Sequence, residues 1–535
     1  MQDLILKGPK VEDQVSMGFG EYFWLTAEKF GDRIFQIHAY TEATQTFGRV
    51  KQKALRVAIQ LRKFGVKEKD VVMVCGENDL NDIVPVLAGL FLGACVSCTA
   101  PLMGLYDYEQ SFASIKPKAI FVIQRDLHTI VEATKFLDYE PLIFVMGESG
   151  EYPTLSDMEK RETEEESTFK PVEVNIYDAA FILFSSGTTS APKGIYLSHF
   201  TILSGPCRLN NNHRFVLDTP LGQFCTLFWI SCLWVTSYSI VNAQPLIVAP
   251  SIKTERYLEL IDKYKIAHCF LFYSTVVNMA NTELSILLKY DLSHVTYVSW
   301  GGTYIDAKYI LKLRKIFPNA LVYQSYAATE IGAIPFGWRD FDQEAYNNKL
   351  LSVGKVNINT EVKIIDIESG QLLGPNQTGE ILIKSPYRML GYTNLDSSQN
   401  FDDDGFLKTG DIGYYDEQHY FYIVDRLKQG FKYRAMNIFP QLVEETLRKH
   451  PAVDEAVVFP MYHEVDFSHP AACIVLQKNA HASAQELSDF VVKNMSEIHR
   501  LRAGIKFLNS MPFTASGKIA RTEVKKLFFA DRGSL

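Results

Sequence analysis

The chain has no basic excess: its 54 Lys and Arg are outnumbered by 62 Asp and Glu, for a formal net charge of -8. Nucleic-acid binders carry a basic face, so that class is disfavoured, although a local basic pocket for a phosphate is not. Cysteine is scarce, with 8 residues scattered through 535. Cys95 and Cys98 form a lone C-x-x-C, and no second pair or His pair completes a zinc set. Buried thiols in a core element are expected there, and a reducing compartment fits. Long unbroken apolar runs are missing as well. Residues 84–102 contain Pro85 and Pro101, and residues 224–250 are interrupted by Ser, Thr, Asn, Gln and Pro245. A spanning helix needs about 20 mainly apolar residues, so both stretches are expected to be a buried helix plus a strand, and no membrane span is expected. The opening MQDLILKGPK lacks the apolar core of a signal peptide. Internal repeats and low-complexity tracts are absent.

What is there is an ordinary globular composition, 47% hydrophobic and 22% charged. Single cores stop growing near ~250–300 residues, so at least two domains are expected. Up to about residue 340, helical patterns alternate with short apolar strands, the signature of a parallel α/β sheet. Ala54, Val57, Ala58 and Leu61 recur at helical spacing over residues 51–64, and Gly65 follows as a helix stop. Strands are expected at residues 71–74, 119–123, 181–184, 245–248, 268–272 and 295–299. The Glu- and Lys-rich run 159–167 is expected to be an exposed loop or helix end. From about 350 to 424, strands at 361–365, 379–383 and 421–424 are separated by turn signals such as Ser369-Gly370 and Asp404-Gly405, which reads as a small β-rich part. Beyond Asp425, helices (442–449, 484–494) mix with strands (456–459, 472–476). The expectation is an α/β chain: a large N-terminal domain, residues 1–424, of stacked α/β sheets with a β-rich subdomain near 350–424. A hinge at 425–428 and a small mobile α+β lid at 429–535 follow.

The most informative stretch begins where the apolar strand 181–184 opens into Ser185-Ser-Gly-Thr-Thr-Ser-Ala-Pro-Lys-Gly194. Glycine lets backbone approach an anion, hydroxyls and free N–H groups donate to phosphate oxygens, and Lys193 adds a point charge. That combination suits a triphosphate. It is not a Walker A loop, because Pro192 precedes the Lys and Gly194 follows it. A polar surface loop is the bland alternative, and the weaker one directly after a buried strand.

This loop resembles the first core motif of the adenylate-forming superfamily, which includes acyl-CoA synthetases, 4-coumarate–CoA ligases, beetle luciferases and peptide-synthetase adenylation domains. Four further stretches carry the resemblance in the family's order: Gln324-Ser-Tyr-Ala-Ala-Thr-Glu330, Thr409-Gly-Asp411, Tyr422-Ile-Val-Asp-Arg-Leu-Lys428 and Pro512-Phe-Thr-Ala-Ser-Gly-Lys518. Linking text such as Gly410-Asp-Ile-Gly-Tyr-Tyr415 is similar to the insect luciferase and acyl-CoA synthetase branch. The resemblance implies ATP, Mg²⁺ and coenzyme A as the small molecules used, with a fatty or aryl carboxylic acid as substrate. It implies that Ser185, Ser186, Gly187, Thr188, Thr189 and Lys193 hold the β- and γ-phosphates. Tyr326 stacks on adenine, Gly301 and Gly302 line the adenine wall, and Thr329 touches the α-phosphate. Glu330 holds Mg²⁺ and counts with Lys518 and Lys432 among the catalytic residues. Asp411 takes the ribose hydroxyls with Arg426 nearby. Lys518 is the adenylation lysine, Lys428 occupies the hinge, and Lys432 lies on the face presented when a thiol attacks the acyl-adenylate. Taken alone, the Ser-Gly-Lys of Lys518 reads better as an ordinary exposed turn, Lys428 and Lys432 have the alternative of a solvated surface charge, and for Lys432 the two readings are even.

The chain departs from the family pattern at several positions. Ser190, Ala327 and Ala435 stand where Gly is usual, and Leu442 where Glu is common. If position 190 requires a positive φ, Ser costs of order 1 kcal/mol. In the acyl-pocket segment Cys225-Thr-Leu-Phe-Trp-Ile-Ser-Cys232, Trp229 stands near the usual His. Trp can pack and donate one hydrogen bond but cannot exchange a proton, so an aromatic gate on an apolar acyl tunnel, or a plain core residue, is expected. Phe224, Phe228, Trp234 and Tyr238 are expected around it. The leading function is an AMP-forming acyl-CoA ligase. A luciferase-type monooxygenase using O₂ and a non-catalytic relative are the alternatives. The terminal Gly533-Ser534-Leu535 lacks the basic middle residue of a peroxisomal Ser-Lys-Leu signal, so a cytoplasmic place is expected over a peroxisomal one.

Overall fold

Short β-branched runs and helix stops place the first layer. The computed structural model describes residues 4–99, 103–185, 193–209, 219–301, 307–338, 341–367, 369–426, 431–434, 436–438, 440–512 and 521–530. Strands Val71–Cys75, Cys95–Cys98, Ala119–Ile123, Leu142–Met146 and Ala179–Ser185 run parallel in a seven-stranded sheet. Lys193–Ser198 and Gly391–Tyr392 add to one edge antiparallel. Cys95 and Cys98 are buried thiols in this sheet, as expected. A second sheet pairs Leu221–Gln223, Leu246–Val248 and Ile34–His38 in parallel, with Thr44–Thr46 antiparallel at its edge. A third holds His268–Leu271, Tyr297–Trp300 and Leu321–Gln324, all parallel. The third-sheet strand expected at 295–299 thus begins and ends later.

Helix Phe47–Lys63 shows how local signals act. The Thr46 hydroxyl accepts the Arg49 N–H at 3.1 Å, and the helix stops before Gly65, whose φ of +86° only glycine adopts cheaply. The acidic run after it is not a bare solvated segment. Arg56, on the buried face of this helix, pairs with Glu162 at 2.8 Å and Glu166 at 3.0 Å, and Arg62 and Lys63 both reach Glu165. The run is, as expected, a helix end and a largely exposed loop, and its acids also clasp the cations that helical spacing lines up, Glu162 from the loop and Glu165 and Glu166 from the turn Glu164–Ser167.

The two broken apolar stretches are helix plus strand, Ile83–Phe91 with Cys95–Cys98 and Ile230–Asn242 with Leu246–Val248. Among the described residues no helix is long and apolar enough to cross a membrane. The β-rich part is an antiparallel sheet of Glu361–Ile365, Gly379–Lys384, Leu407–Tyr415 and Phe421–Arg426, with Leu6–Lys7 at its edge. A smaller C-terminal domain has cores of its own. Its sheet contains Phe431–Tyr433, Met436–Ile438, Val453–His463, Phe467–Leu476 and Gly504–Phe507, packed by helices Pro440–Arg448, Ala484–Asn494 and Arg521–Phe529. Among the described residues it touches the large domain around Lys449 and around Glu464. Lys449 lies over the Tyr106 ring at 5.1 Å, near the close approach of Gly104 to the Met495 carbonyl. Elsewhere the Tyr309 hydroxyl donates to Glu464 at 2.8 Å.

Candidate active site

The phosphate-loop candidate is the connection of an antiparallel hairpin. Ser185 and Lys193 are register partners at the ends of its two strands, so the lysine is fixed at the loop's exit. Residues 186–192, with Ser186, Gly187, Thr188, Thr189 and Ser190, lie outside the described residues. Gly194 is required by close packing. A Cβ there would lie 2.8 Å from Thr393, whose N–H donates to the Gly194 carbonyl at 2.8 Å. Thr393 also bonds to the Ser114 hydroxyl.

Tyr392, beside Thr393, ties the loop to the second motif. The Lys193 ammonium lies 5.2 Å from its ring centroid, and its hydroxyl donates to Glu330 Oε1 at 3.2 Å. Burial first, and then the Glu330 charge, pushes the Tyr392 hydroxyl well above its ordinary pKa, so it stays a donor. Sequence reasoning missed Tyr392, because nothing local marks one tyrosine far along the chain from both partners. The backbone behind Glu330 is equally fixed. Its carbonyl accepts the Met389 N–H at 2.9 Å, and Gly332 sits at φ +67° against the Tyr387 carbonyl.

Glu330 and Thr329 follow the end of the parallel strand Leu321–Gln324, where open α/β sheets place ligands. Tyr326 is buried there, against Phe336 at 5.7 Å. Gly301 leaves the neighbouring strand at the same edge, and a Cβ on it would approach Ser325 to 3.2 Å. Gly302 lies outside the described residues. Ala327 is not among the residues with positive φ, so alanine carries no left-handed strain there.

The Tyr326 hydroxyl donates to Asp411 Oδ2 at 2.6 Å, which joins the second and third motifs in one buried contact. The Thr409-Gly410-Asp411 turn is locked from three sides. Thr409 donates to the Ile381 carbonyl at 2.7 Å and accepts the Asp411 N–H at 3.1 Å, while the Gly410 N–H donates to Glu380 at 3.1 Å. Gly410 has φ +69°, which accounts for the glycine. Arg426 is the register partner of Asp411. Lys432 is half-buried on the strand Phe431–Tyr433 of the small domain. Lys428, Ala435 and Lys518 lie outside the described residues.

The acyl-pocket candidates only partly gather. Trp229 caps the helix Ile230–Asn242 and meets Phe228 edge-to-face at 5.0 Å. Phe228 packs against the cluster that holds Phe184, just before the phosphate loop. Leu227 lines a small cavity with Val74, Cys98 and Thr99, beside the buried Asp82, whose carboxyl burial pushes up to about 6. Phe224 does not join them. It faces Tyr257 at 4.6 Å in a separate cluster, and Trp234 and Tyr238 turn into the main core, since successive helical residues point in different directions. Cys225 and Cys232 are paired as a disulfide that brackets Trp229, with Cα atoms 6.5 Å apart. Their spacing matches no motif, and only the turn into the helix brings them together.

Lys193 at the exit of its hairpin, Tyr326 and Glu330 beyond a parallel strand end, and the Thr409-Gly410-Asp411 turn come together as they do in adenylate-forming enzymes. The AMP-binding enzyme family matches residues 23–393 and its C-terminal domain matches residues 442–518, and the chain belongs to this family. It is 27% identical to luciferin 4-monooxygenase of Photuris pensylvanica, over 99% of each chain. It is 28% identical to 4-coumarate-CoA ligase 1 of Narcissus pseudonarcissus, over 95% of this chain and 93% of that one. Among solved structures, the luciferase-like enzyme of the nonluminescent mealworm Zophobas morio superposes with a TM-score of 0.75 at 33% identity, over 80% of this chain and all of that one.

Proposed function

We propose that the protein is an AMP-forming acid–thiol ligase that activates an apolar fatty or aryl acid and passes it to coenzyme A. The observation that carries the reading is the tie of Lys193 and Glu330 to one half-buried tyrosine, Tyr392, beside the Tyr326–Asp411 contact. It sets a cation and a carboxylate at a fixed spacing beside a buried aromatic and an acid, as a nucleotide requires.

In the first step a carboxylate oxygen of the acid bonds to the α-phosphorus of ATP, and the bond to pyrophosphate breaks. Lys193 and residues 185–189 hold the β- and γ-phosphates and keep the leaving group in line. Tyr326, with Gly301 and Gly302, forms the adenine wall, Asp411 with Arg426 takes the ribose hydroxyls, and Thr329 orients the α-phosphate. Glu330 offers hard oxygens that fit Mg²⁺, which supplies charge neutralisation when bound. Lys518 steadies the charge on the carboxylate and α-phosphate. In the second step the thiol sulfur bonds to the acyl carbon and AMP leaves, with Lys432 on the face turned inward about a hinge at 425–428. The division into residues 1–424 and 429–535 rests on this reading. Phe228 and Trp229 line the acyl end. Similarity to 4-coumarate-CoA ligase supports the thiol as acceptor.

Pyrophosphate release from Mg-ATP across fatty and aryl acids, with and without coenzyme A, tests the proposal, with Lys518→Ala as control. Acid-dependent release accelerated by coenzyme A, with acyl-CoA formed, is expected. Release without any thioester, accompanied by light from a luciferin, would replace the ligase with the monooxygenase reading that the luciferase relatives support. No release with any acid would sink both.

A further inference from the structure

The long hairpin of the small domain ends in a side-chain cluster that neither the adenylation chemistry nor the family resemblance uses. Its strands Val453–His463 and Phe467–Leu476 pair antiparallel, with His463 opposite Phe467 and Met461 opposite His469. Cross-strand partners share a face, and so do residues two apart on a strand. His463 and His469 therefore project from one face on a diagonal. Their rings stack with centroids 3.9 Å apart and planes 18° apart. Asp466, in the turn between the strands, folds its carboxylate back toward both. Its Oδ2 lies 2.9 Å from His469 Nε2 and 3.8 Å from His463 Nδ1. One ligand atom from each residue lies within 4.8 Å of the other two.

We infer that His463, Asp466 and His469 form a binding site for a zinc-class divalent transition-metal ion, with water in the remaining position. Metal–nitrogen and metal–oxygen bonds of about 2.0–2.1 Å in tetrahedral geometry put neighbouring ligand atoms about 3.3 Å apart. The two Asp466 separations bracket that value, and because the stacked rings lie in near-parallel planes, closure requires the more exposed His463 ring to turn about its Cβ–Cγ bond so that both lone pairs converge. Two imidazoles and one carboxylate select borderline metals, whereas Mg²⁺ and Ca²⁺ want oxygen donors alone. The carboxylate is already oriented for the task. Arg434 donates from Nε to Asp466 Oδ1 at 2.8 Å and from its backbone N–H to the Asp466 carbonyl at 2.7 Å, which leaves Oδ2 aimed at the histidines. Binding replaces two existing contacts. His463 Nδ1 gives up the Asp466 N–H, now at 3.0 Å, and His469 carries its proton on Nδ1. The His463 side chain is 42% exposed and leaves room for entry and for the water.

The location adds a consequence. Glu464, in the same turn, accepts the Tyr309 hydroxyl of the large domain at 2.8 Å, and Val465 and Phe467 pack on the large domain's core. A metal here stiffens the segment on which the small domain rests.

The test uses the full chain after chelator treatment, titrated with Zn²⁺ by calorimetry and with Co²⁺ by visible absorption. One equivalent of Zn²⁺ is expected, unaffected by millimolar Mg²⁺, together with the intense absorption bands of low-symmetry Co²⁺. The paired substitution His463→Ala and His469→Ala should abolish both signals. Arg434→Gln should weaken binding roughly tenfold or more, because it frees the carboxylate without removing a ligand. Circular dichroism and the melting temperature establish that each variant is folded. If the paired variant does not fold, His469→Gln alone must lose the Co²⁺ bands. No uptake by the wild type, or uptake unchanged in folded variants, overturns the site.

Discussion

Substituting Gly104 by Ala separates the two half-reactions by sterics alone. Gly104 has φ −81° and ψ 170°, extended backbone that alanine adopts without strain, and its N–H donates to Asp107 at 3.0 Å, which alanine preserves. A Cβ on residue 104, however, would run into the Met495 carbonyl, which already approaches Gly104 closely. Ordinary contact begins near about 3.4 Å, so the carbonyl must retreat. No rotamer relieves a clash between a Cβ and a backbone oxygen. Met495 belongs to the small domain, and on the proposed hinge at 425–428 that domain turns as a body, so the observed domain arrangement should be lost while each domain keeps its fold. Gly332→Ala is the contrast. Its Cβ would lie 1.8 Å from the Tyr387 carbonyl inside the large domain, at φ +67°, where nothing can swing away. Gly332→Ala is expected to lower the melting temperature and Gly104→Ala to leave it nearly unchanged. For Gly104→Ala, acid-dependent ATP–pyrophosphate exchange and thioester formation from preformed acyl-adenylate are measured separately. One of the two should fall at least tenfold, about 1.4 kcal/mol of barrier, while the other stays within twofold. Two unchanged rates would mean the arrangement is not on the catalytic cycle. Two rates falling together with the melting temperature would mean simple damage to the fold.

Tyr392→Phe removes the donor to Glu330 but keeps the ring under Lys193, so a loss of roughly tenfold in kcat/KM for ATP is expected with little change in stability. Turnover within twofold of wild type would detach Tyr392 from the site. Tyr326→Phe withdraws a hydrogen bond from the buried Asp411 carboxylate, and a loss of about 1–3 kcal/mol in stability together with weaker ATP binding is expected from denaturant titration and KM. An unchanged melting curve and KM would contradict it. Burial pushes the Asp107 carboxyl up to about 7, against the pull of the Gly104 N–H. Its folded-state pKa lies above the unfolded value, so its contribution to stability is whole below about pH 4 and is lost as pH rises through 7. The difference from about 3.9 to about 7 bounds the loss at roughly 4 kcal/mol. Denaturant midpoints should fall between about pH 4 and 7.5 in the wild type and flatten in Asp107→Asn, and parallel pH profiles for the two would refute the assignment.

What could be read from residue order was whatever depends on near neighbours. Helix Ala484–Asn494 begins and ends where its pattern does, because Ser483 accepts the Glu486 N–H at 3.1 Å and Glu486 reaches back to the Ser483 N–H at 3.2 Å, a reciprocal cap written within four residues. The Thr409-Gly-Asp411 turn was legible for the same reason: its glycine and its hydroxyl act on the next residue or the facing strand. The aromatic set around Trp229 was legible only as a list. Phe228 could be placed and Phe224 could not, because which face each occupies is decided where the chain turns into its helix. The His463–His469 diagonal needs the hairpin register, which a one-residue slip would reverse.

Tyr392 marks the deeper reason. A phosphate site needs a cation and a carboxylate close enough to share a ligand yet kept from collapsing onto each other. A direct Lys193–Glu330 ion pair would satisfy both charges and leave neither for a nucleotide. Tyr392 takes its place as a spacer, with its ring under the ammonium and its hydroxyl on the carboxylate, and Thr393 and Gly194 fix its height on the sheet. Such a spacer has no chemistry of its own that a motif would display. It is visible only where three distant stretches meet, and Gly194, which reads in sequence as room for backbone to approach an anion, is there because Thr393 leaves no space for a side chain.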